Sequence, residues 1–259
     1  MTSARITTLA EDPPLPGPCA DCARAESLGF DFTMAFQPIV DLDERGVFAH
    51  EALVRGVDGE GAGQVLGKVN DDNRYRFDQL CRIKAVQLAS RLGIDTRLSI
   101  NFLPNAVYNP ENCIRTTIAA AQSAGMPLEN ILFEVTEVEQ VVDHDHLRGI
   151  FETYRRYGFG TAIDDFGAGY SGLALLADFQ PDFIKLDMQL IRGIQRSTPR
   201  QVIVRSIVDL AAQLDIVVIA EGIEEADELK CLRDLGIGKF QGYFFARPAF
   251  EALAPISFA

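Results

Sequence analysis

From residue 34 onward, short apolar runs alternate with longer stretches whose apolar positions recur every three to four residues. MAFQPIV (34–40), VFAHEALVR (47–55), RLSINFL (97–103), NILFEVT (130–136), GTAIDDF (160–166), DFIKLD (182–187), DIVVIAE (215–221) and KFQGYFF (239–245) read as eight strands. Segments such as YRFDQLCRIKAVQLASRLG (75–93) and TPRQVIVRSIVDLAAQLD (198–215) read as amphipathic helices that stop at Gly or Asp. Strand–helix alternation of this length predicts an α/β fold with a parallel barrel. The first two strands depart from it, because only DLDERG (41–46) separates them. Six residues cannot hold a crossover helix, so this pair is expected to be an antiparallel hairpin. The predicted architecture is a modified TIM-type (β/α)8 barrel over residues 34–259, with its first strand antiparallel to the others. Residues 1–33, with EDPPLPGP, have no packing periodicity and are expected to be a flexible N-terminal tail.

Polar residues recur at the C-terminal ends of the apolar runs: Asn101, Glu134, Asp164 and Asp165, Lys185, Glu221 and Gln241. Any one strand ends on a polar residue, but a recurrence in register on the face where barrels carry their active sites asks for chemistry. In the second strand Glu51, Leu53 and Arg55 alternate with Phe48, His50, Ala52 and Val54. The second set should meet helices, which places Glu51 and Arg55 inside.

The formal net charge of -13 sets the whole surface against nucleic acid polymers and anionic membranes, so an anionic substrate has to be met by local cations. With no secretory leader pattern and no apolar run of membrane-spanning length, a cytoplasmic protein is expected. Cys81, Cys113 and Cys231 fall in helix-like segments as core or boundary thiols, and Cys19-x-x-Cys22 supplies half a zinc site at best within the tail. His144 and His146, in DHDHL, read as decoration of a solvated helix start.

Glu51, Glu134, Asp164, Asp165 and Glu221 are carboxylates and Asn101 adds a neutral oxygen, a hard donor set that suits Mg²⁺ or Mn²⁺ rather than zinc. Five negative charges are formally cancelled by two dications and Lys185. A bridging carboxylate, Asp164 or Asp165, would hold two ions roughly 3.5–4 Å apart and bring the pKa of a shared water toward neutrality, which suits attack on a phosphodiester. The glycines of Gly167-x-Gly169-x-x-Gly172 follow these aspartates. A dinucleotide's pyrophosphate would meet their charge first, so the glycines read as a tight turn beside a cation site, or simply as a turn between strand and helix.

EALVR (51–55), NFLP (101–104), FEVTE (133–137), DDFGAGYSGL (164–173), IKLD (184–187), AEGIE (220–224) and QGYFFARP (241–248) together resemble the EAL-domain cyclic di-GMP phosphodiesterases, from about residue 34 to 250. The resemblance implies hydrolysis of cyclic di-GMP to linear 5′-pGpG with two Mg²⁺ or Mn²⁺ ions and inhibition by Ca²⁺. It implies one metal on Glu51, Asn101, Glu134 and Asp164 and a second on Asp164, Asp165 and Glu221. Lys185 would contact the attacking water, Gln241 would support the water and the metal shell, and Glu51 and Glu221 count with them as catalytic. Glu137 would hold the loop after Asp165. Arg55 would meet a substrate phosphate, with Gln37 and Leu53 as further substrate contacts. A homodimer through the loop and helix after Asp165 is also implied. The alternative within the family is a cyclic di-GMP receptor or interaction module that does not cleave. VDGEGAG (57–63), glycine-rich after Arg55, departs from the family near the mouth.

Overall fold

The computed structural model describes residues 28–136, 144–169 and 172–258. The strands are β1 Thr33–Asp41, β2 Gly46–Arg55, β3 Arg97–Asn101, β4 Ile131–Thr136, β5 Gly160–Phe166, β6 Phe183–Leu186, β7 Val217–Ala220, β8 Lys239–Phe240 and β9 Ala249–Phe250. They form one sheet in the order β2-β3-β4-β5-β6-β7-β8-β1-β9, and pairing of β1 with β2 closes the first eight into a barrel. All neighbours from β2 to β8 are parallel, whereas β1 is antiparallel to both β2 and β8. The short connection acts as expected: Asp41 Oδ1 accepts the backbone N–H groups of Asp43 (2.9 Å) and Glu44 (3.2 Å), an Asx-type turn that reverses the chain.

Strand limits differ from the pattern where side chains or glycines pull the chain out of the sheet. β3 ends at Asn101: the Phe102 N–H still donates to the Glu134 carbonyl of β4 (3.0 Å), but one residue on Leu103 N donates to Asp78 Oδ1 at 2.9 Å and the chain leaves the sheet. β8 has two residues instead of seven, since the backbone at Gln241–Phe244 bonds to Ile223 instead of continuing the ladder. The apolar pattern did not foresee β9, which pairs Phe250 with Ala35 along β1. Phe32, ahead of β1, is buried with its ring 5.2 Å from that of Phe77.

The barrel interior has an apolar floor and a polar mouth. Ile39, Ala49 and Ile219 are fully buried at the floor, with Phe48 and Phe183 packed against them. Phe48 therefore does not face the helices, as strict alternation expected. The β1–β2 ladder shifts register between Ile39 and Val40, and this bulge turns Phe48 toward Phe183, with ring centroids 5.2 Å apart.

Outside the barrel, helix Arg74–Arg91 buries the whole Arg82 side chain. Its guanidinium pairs with Asp78 at 2.5 Å, donates to the Tyr154 hydroxyl at 2.6 Å and lies 5.2 Å from the Phe133 ring. A buried charge is tolerated because it is paired and faces aromatic rings. Cys81 and Cys113 are buried, as expected of core thiols, while Cys19 and Cys22 lie outside the described residues. His146 is more than solvated decoration, since its Nε2 is 2.7 Å from the Val107 carbonyl. The side chain of His144 lies outside the described residues.

Candidate functional site

Side chains of one parity point into a barrel, and near its C-terminal end those of β2 to β7 are polar. Glu51 comes from β2 and stands opposite Gln37 of β1, and Asn101 of β3 pairs in register with Glu134 of β4. Lys185 of β6 lies among four carboxylates: Glu221 at 2.6 Å, Glu134 at 2.8 Å, Asp164 at 3.1 Å and Glu51 at 3.4 Å. Asn101 donates Nδ2 to Glu51 Oε1 (2.8 Å), and Gln241 donates Nε2 to Glu51 Oε2 (2.8 Å) and to Gln37 Oε1 (3.2 Å).

Two adjacent aspartates on a regular strand would point to opposite faces. Here β5 carries one extra residue against β6 between Ile163 and Phe166, and Asp165 adopts a left-handed φ of 54°. That conformation costs an L-residue about 1–2 kcal/mol, and it brings both side chains to the mouth. Ligand oxygens of Glu51, Glu134 and Asp164 lie within 4.8 Å of one another, as do those of Asp164, Asp165 and Glu221. Asp164 is common to both groups.

Residues 23–248 match the EAL domain family. The chain belongs to the EAL domain family. A standalone EAL protein from Vibrio cholerae O395, solved in a c-di-GMP bound form, superposes with a TM-score of 0.87 at 53% identity, covering 89% of this chain and 98% of that one. BlrP1 of Klebsiella pneumoniae, in a manganese/cy-diGMP complex, gives a TM-score of 0.82 at 38% identity over 87% of this chain and 57% of its own. The blue light- and temperature-regulated antirepressor BluF of Escherichia coli is 32% identical over 91% of this chain and 58% of its own length. Other curated relatives are named as cyclic di-GMP phosphodiesterases. The chain spans 58% of BluF and smaller fractions of other curated relatives.

Within this EAL domain the carboxylate cluster is held under electrostatic tension. Burial, only partly offset by Lys185, pushes Glu134 up to about 8. Burial and then Asp164 push Asp165 up to about 6 and raise Glu221 well above the ordinary carboxylate range. Burial alone would lower the Lys185 pKa, but Asp164, Glu134, Glu221 and Glu51 hold it well above the usual lysine value. Glu134 Oε1 is buried without a hydrogen-bond partner. Hard oxygens, excess negative charge and an orphaned acceptor fit divalent cations.

A cleft of about 290 Å³ opens above the cluster, and Gln37, Glu51, Leu53, Asp164, Lys185, Glu221 and Gln241 line it. Arg55 donates Nη1 to the Val54 carbonyl (2.7 Å) and is not among the lining residues. Glu137, Tyr170 and Ser171 lie outside the described residues. Gly167 needs its positive φ of 95°, and a Cβ there would stand 2.5 Å from Leu190 Cδ1, which bears out a tight turn. Asp78 escaped the sequence reading. Its only local signal is the i,i+4 pair with Arg82 on an otherwise apolar helix face, and its role is to anchor Leu103, two residues beyond Asn101.

Gly222 follows Glu221 with φ of 68°, and a Cβ would lie 2.6 Å from Met188 Cβ. Gly222→Ala is expected to cost about 1–3 kcal/mol, read as a fall of roughly 2–12 °C in the thermal midpoint. An unchanged midpoint would mean that Met188 gives way freely. Among the described residues no helix is long and apolar enough to cross a membrane.

Proposed function

We propose that this EAL domain hydrolyses one phosphodiester of 3′,5′-cyclic di-GMP to linear 5′-pGpG with two Mg²⁺ or Mn²⁺ ions. The observation that carries the reading is Asp164, which is shared by two groups of converging carboxylates beside a buried lysine. Glu51, Asn101, Glu134 and Asp164 would hold one ion, and Asp164, Asp165 and Glu221 the other. When bound, the ions supply Lewis acidity at the phosphate and lower the pKa of a water between them.

Lys185, 1% exposed, is fixed by its carboxylates and orients the water from below. Gln241 locks Glu51 through one hydrogen bond and Gln37 through another, so neither side chain is free to rotate when substrate enters. Water's oxygen forms the new bond to phosphorus, the P–O3′ bond breaks, and O3′ leaves with a proton, giving a 5′-phosphate and a 3′-hydroxyl. Gln37 and Leu53 line the cleft at positions suited to substrate. Pairing of two copies through the helix after Asp165 is part of the same proposal. Leu173 on helix Gly172–Asp178, 64% exposed, supports it.

The non-cleaving reading has the antirepressor relative in its favour. Against it, every hard donor of the metal set is retained and converges. Purified protein with cyclic di-GMP should yield pGpG in Mg²⁺ or Mn²⁺ and none in Ca²⁺, whose longer, looser coordination acidifies water less. Binding without product in Mn²⁺ would establish the receptor instead, and turnover after exhaustive chelation would remove the metals from the reaction.

A further inference from the structure

A second charged layer stands above the carboxylate cluster, built from the loops after β6 and β7. Arg192, with 34% of its side chain exposed, is paired with Glu224, 45% exposed, and lies 4.0 Å from Glu228, 2% exposed. Glu228 is committed to the backbone: it accepts the N–H of Gly193 at 2.9 Å and those of Glu224 and Glu225 at 3.3 Å each. One buried carboxylate thus ties the two loops together and fixes the base of the Arg192 side chain.

Arg192 and Glu224 line the same cleft as the metal-type donors. Among the described residues lining it, the cationic side chains are Lys185 and Arg192. Lys185 is 1% exposed and its charge is already met by four carboxylates. Arg55 is turned to the Val54 carbonyl. A cyclic dinucleotide carries two phosphodiesters, and one dinuclear centre serves only the one that is cleaved. The other must enter the same cleft beside Glu224, a carboxyl side chain outside the metal-type donor set, and without a cation to receive it a phosphate there would have no partner.

The geometry points to Arg192 as the group that receives the uncleaved phosphate of a cyclic dinucleotide, with Glu224 as its partner before substrate arrives and Glu228 as the positioning residue beneath. This rests on the hydrolase reading above. The exchange replaces one oxyanion on the guanidinium by another, so Glu224 competes with substrate and sets how readily Arg192 is released. Phosphodiesters with a single phosphate make no use of it.

The test compares kcat/KM for cyclic di-GMP with that for bis(p-nitrophenyl) phosphate in Mn²⁺, using the full chain. Arg192→Gln should lower that ratio about 10- to 100-fold, chiefly through KM for the cyclic dinucleotide, the value of a hydrogen-bonded charge lost. Glu224→Gln should raise the ratio about two- to five-fold by freeing the guanidinium from a rim ion pair. A folding defect cannot move the two variants in opposite directions. An unchanged ratio in both variants overturns the assignment of Arg192 while leaving the hydrolase intact. A wild-type chain that cleaves neither compound overturns the hydrolase reading itself.

Discussion

Asp164→Asn is expected to abolish hydrolysis while making the metal-free fold more stable. Asp164 belongs to both groups of converging oxygens, so its loss should weaken both proposed cation sites, whereas Glu134 or Asp165 belongs to only one group. The metal contribution to stabilising charge at a phosphoryl oxygen is several kcal/mol, which at 1.4 kcal/mol per decade corresponds to a fall of about 10³-fold or more. In the absence of metal the balance reverses. Glu51, Glu134, Asp164 and Glu221 surround Lys185 with a formal excess of three negative charges (-4 + 1), and Asp164 helps push up Glu134, Asp165 and Glu221. Neutralising it removes repulsion from a buried site, so the thermal midpoint in EDTA should rise. Turnover within tenfold of wild type would sink the shared-ligand assignment. A lower midpoint would show that Asp164 is a net stabilising partner of Lys185.

Lys185→Met should do the opposite to the fold. The ammonium is 1% exposed and is the only cation in contact with these four carboxylates among the described residues. Breaking a buried ion network by removing one partner typically costs about 3–5 kcal/mol, or roughly 6–20 °C in the midpoint of a domain of this size. The loss should be largest in EDTA and shrink in excess Mn²⁺, because bound dications compensate the same carboxylates. Turnover should fall at any metal concentration, since the charge beside the water is gone. Equal midpoints for variant and wild type in EDTA would mean that the cluster is held neutral by protons and needs no lysine.

The strand–helix order, the antiparallel start and the set of polar strand ends were legible in the chain because each depends on local periodicity or on connection length. Six residues between two strands leave no room for a helix whatever the rest of the molecule does. A polar residue that ends an apolar run is likewise visible in one dimension, and Glu51, Asn101, Glu134, Asp164, Lys185, Glu221 and Gln241 do meet at one mouth.

What the local pattern missed is everything that breaks alternation or spans distant segments. Phe48 turned inward through a bulge in the β1–β2 ladder, and β9 exists only because β1 offers an unpaired edge beyond β8. Asp78 and Glu228 act on backbone groups of other loops, which no spacing within their own helices reveals. Nothing in the local pattern singles out Arg192, six residues past the end of β6. Its place beside the cleft depends on the β7 loop, where Gly222 lets Met188 approach, and on Glu224 across from it. The sequence by itself determined which side chains stand at strand ends, because a two-residue period is a property of each strand alone. Only the tertiary structure decided that Asp164 and Asp165 face the same site: the left-handed turn at Asp165 is unfavourable by itself and persists because the β5–β6 bulge and the packed barrel around it hold the chain there.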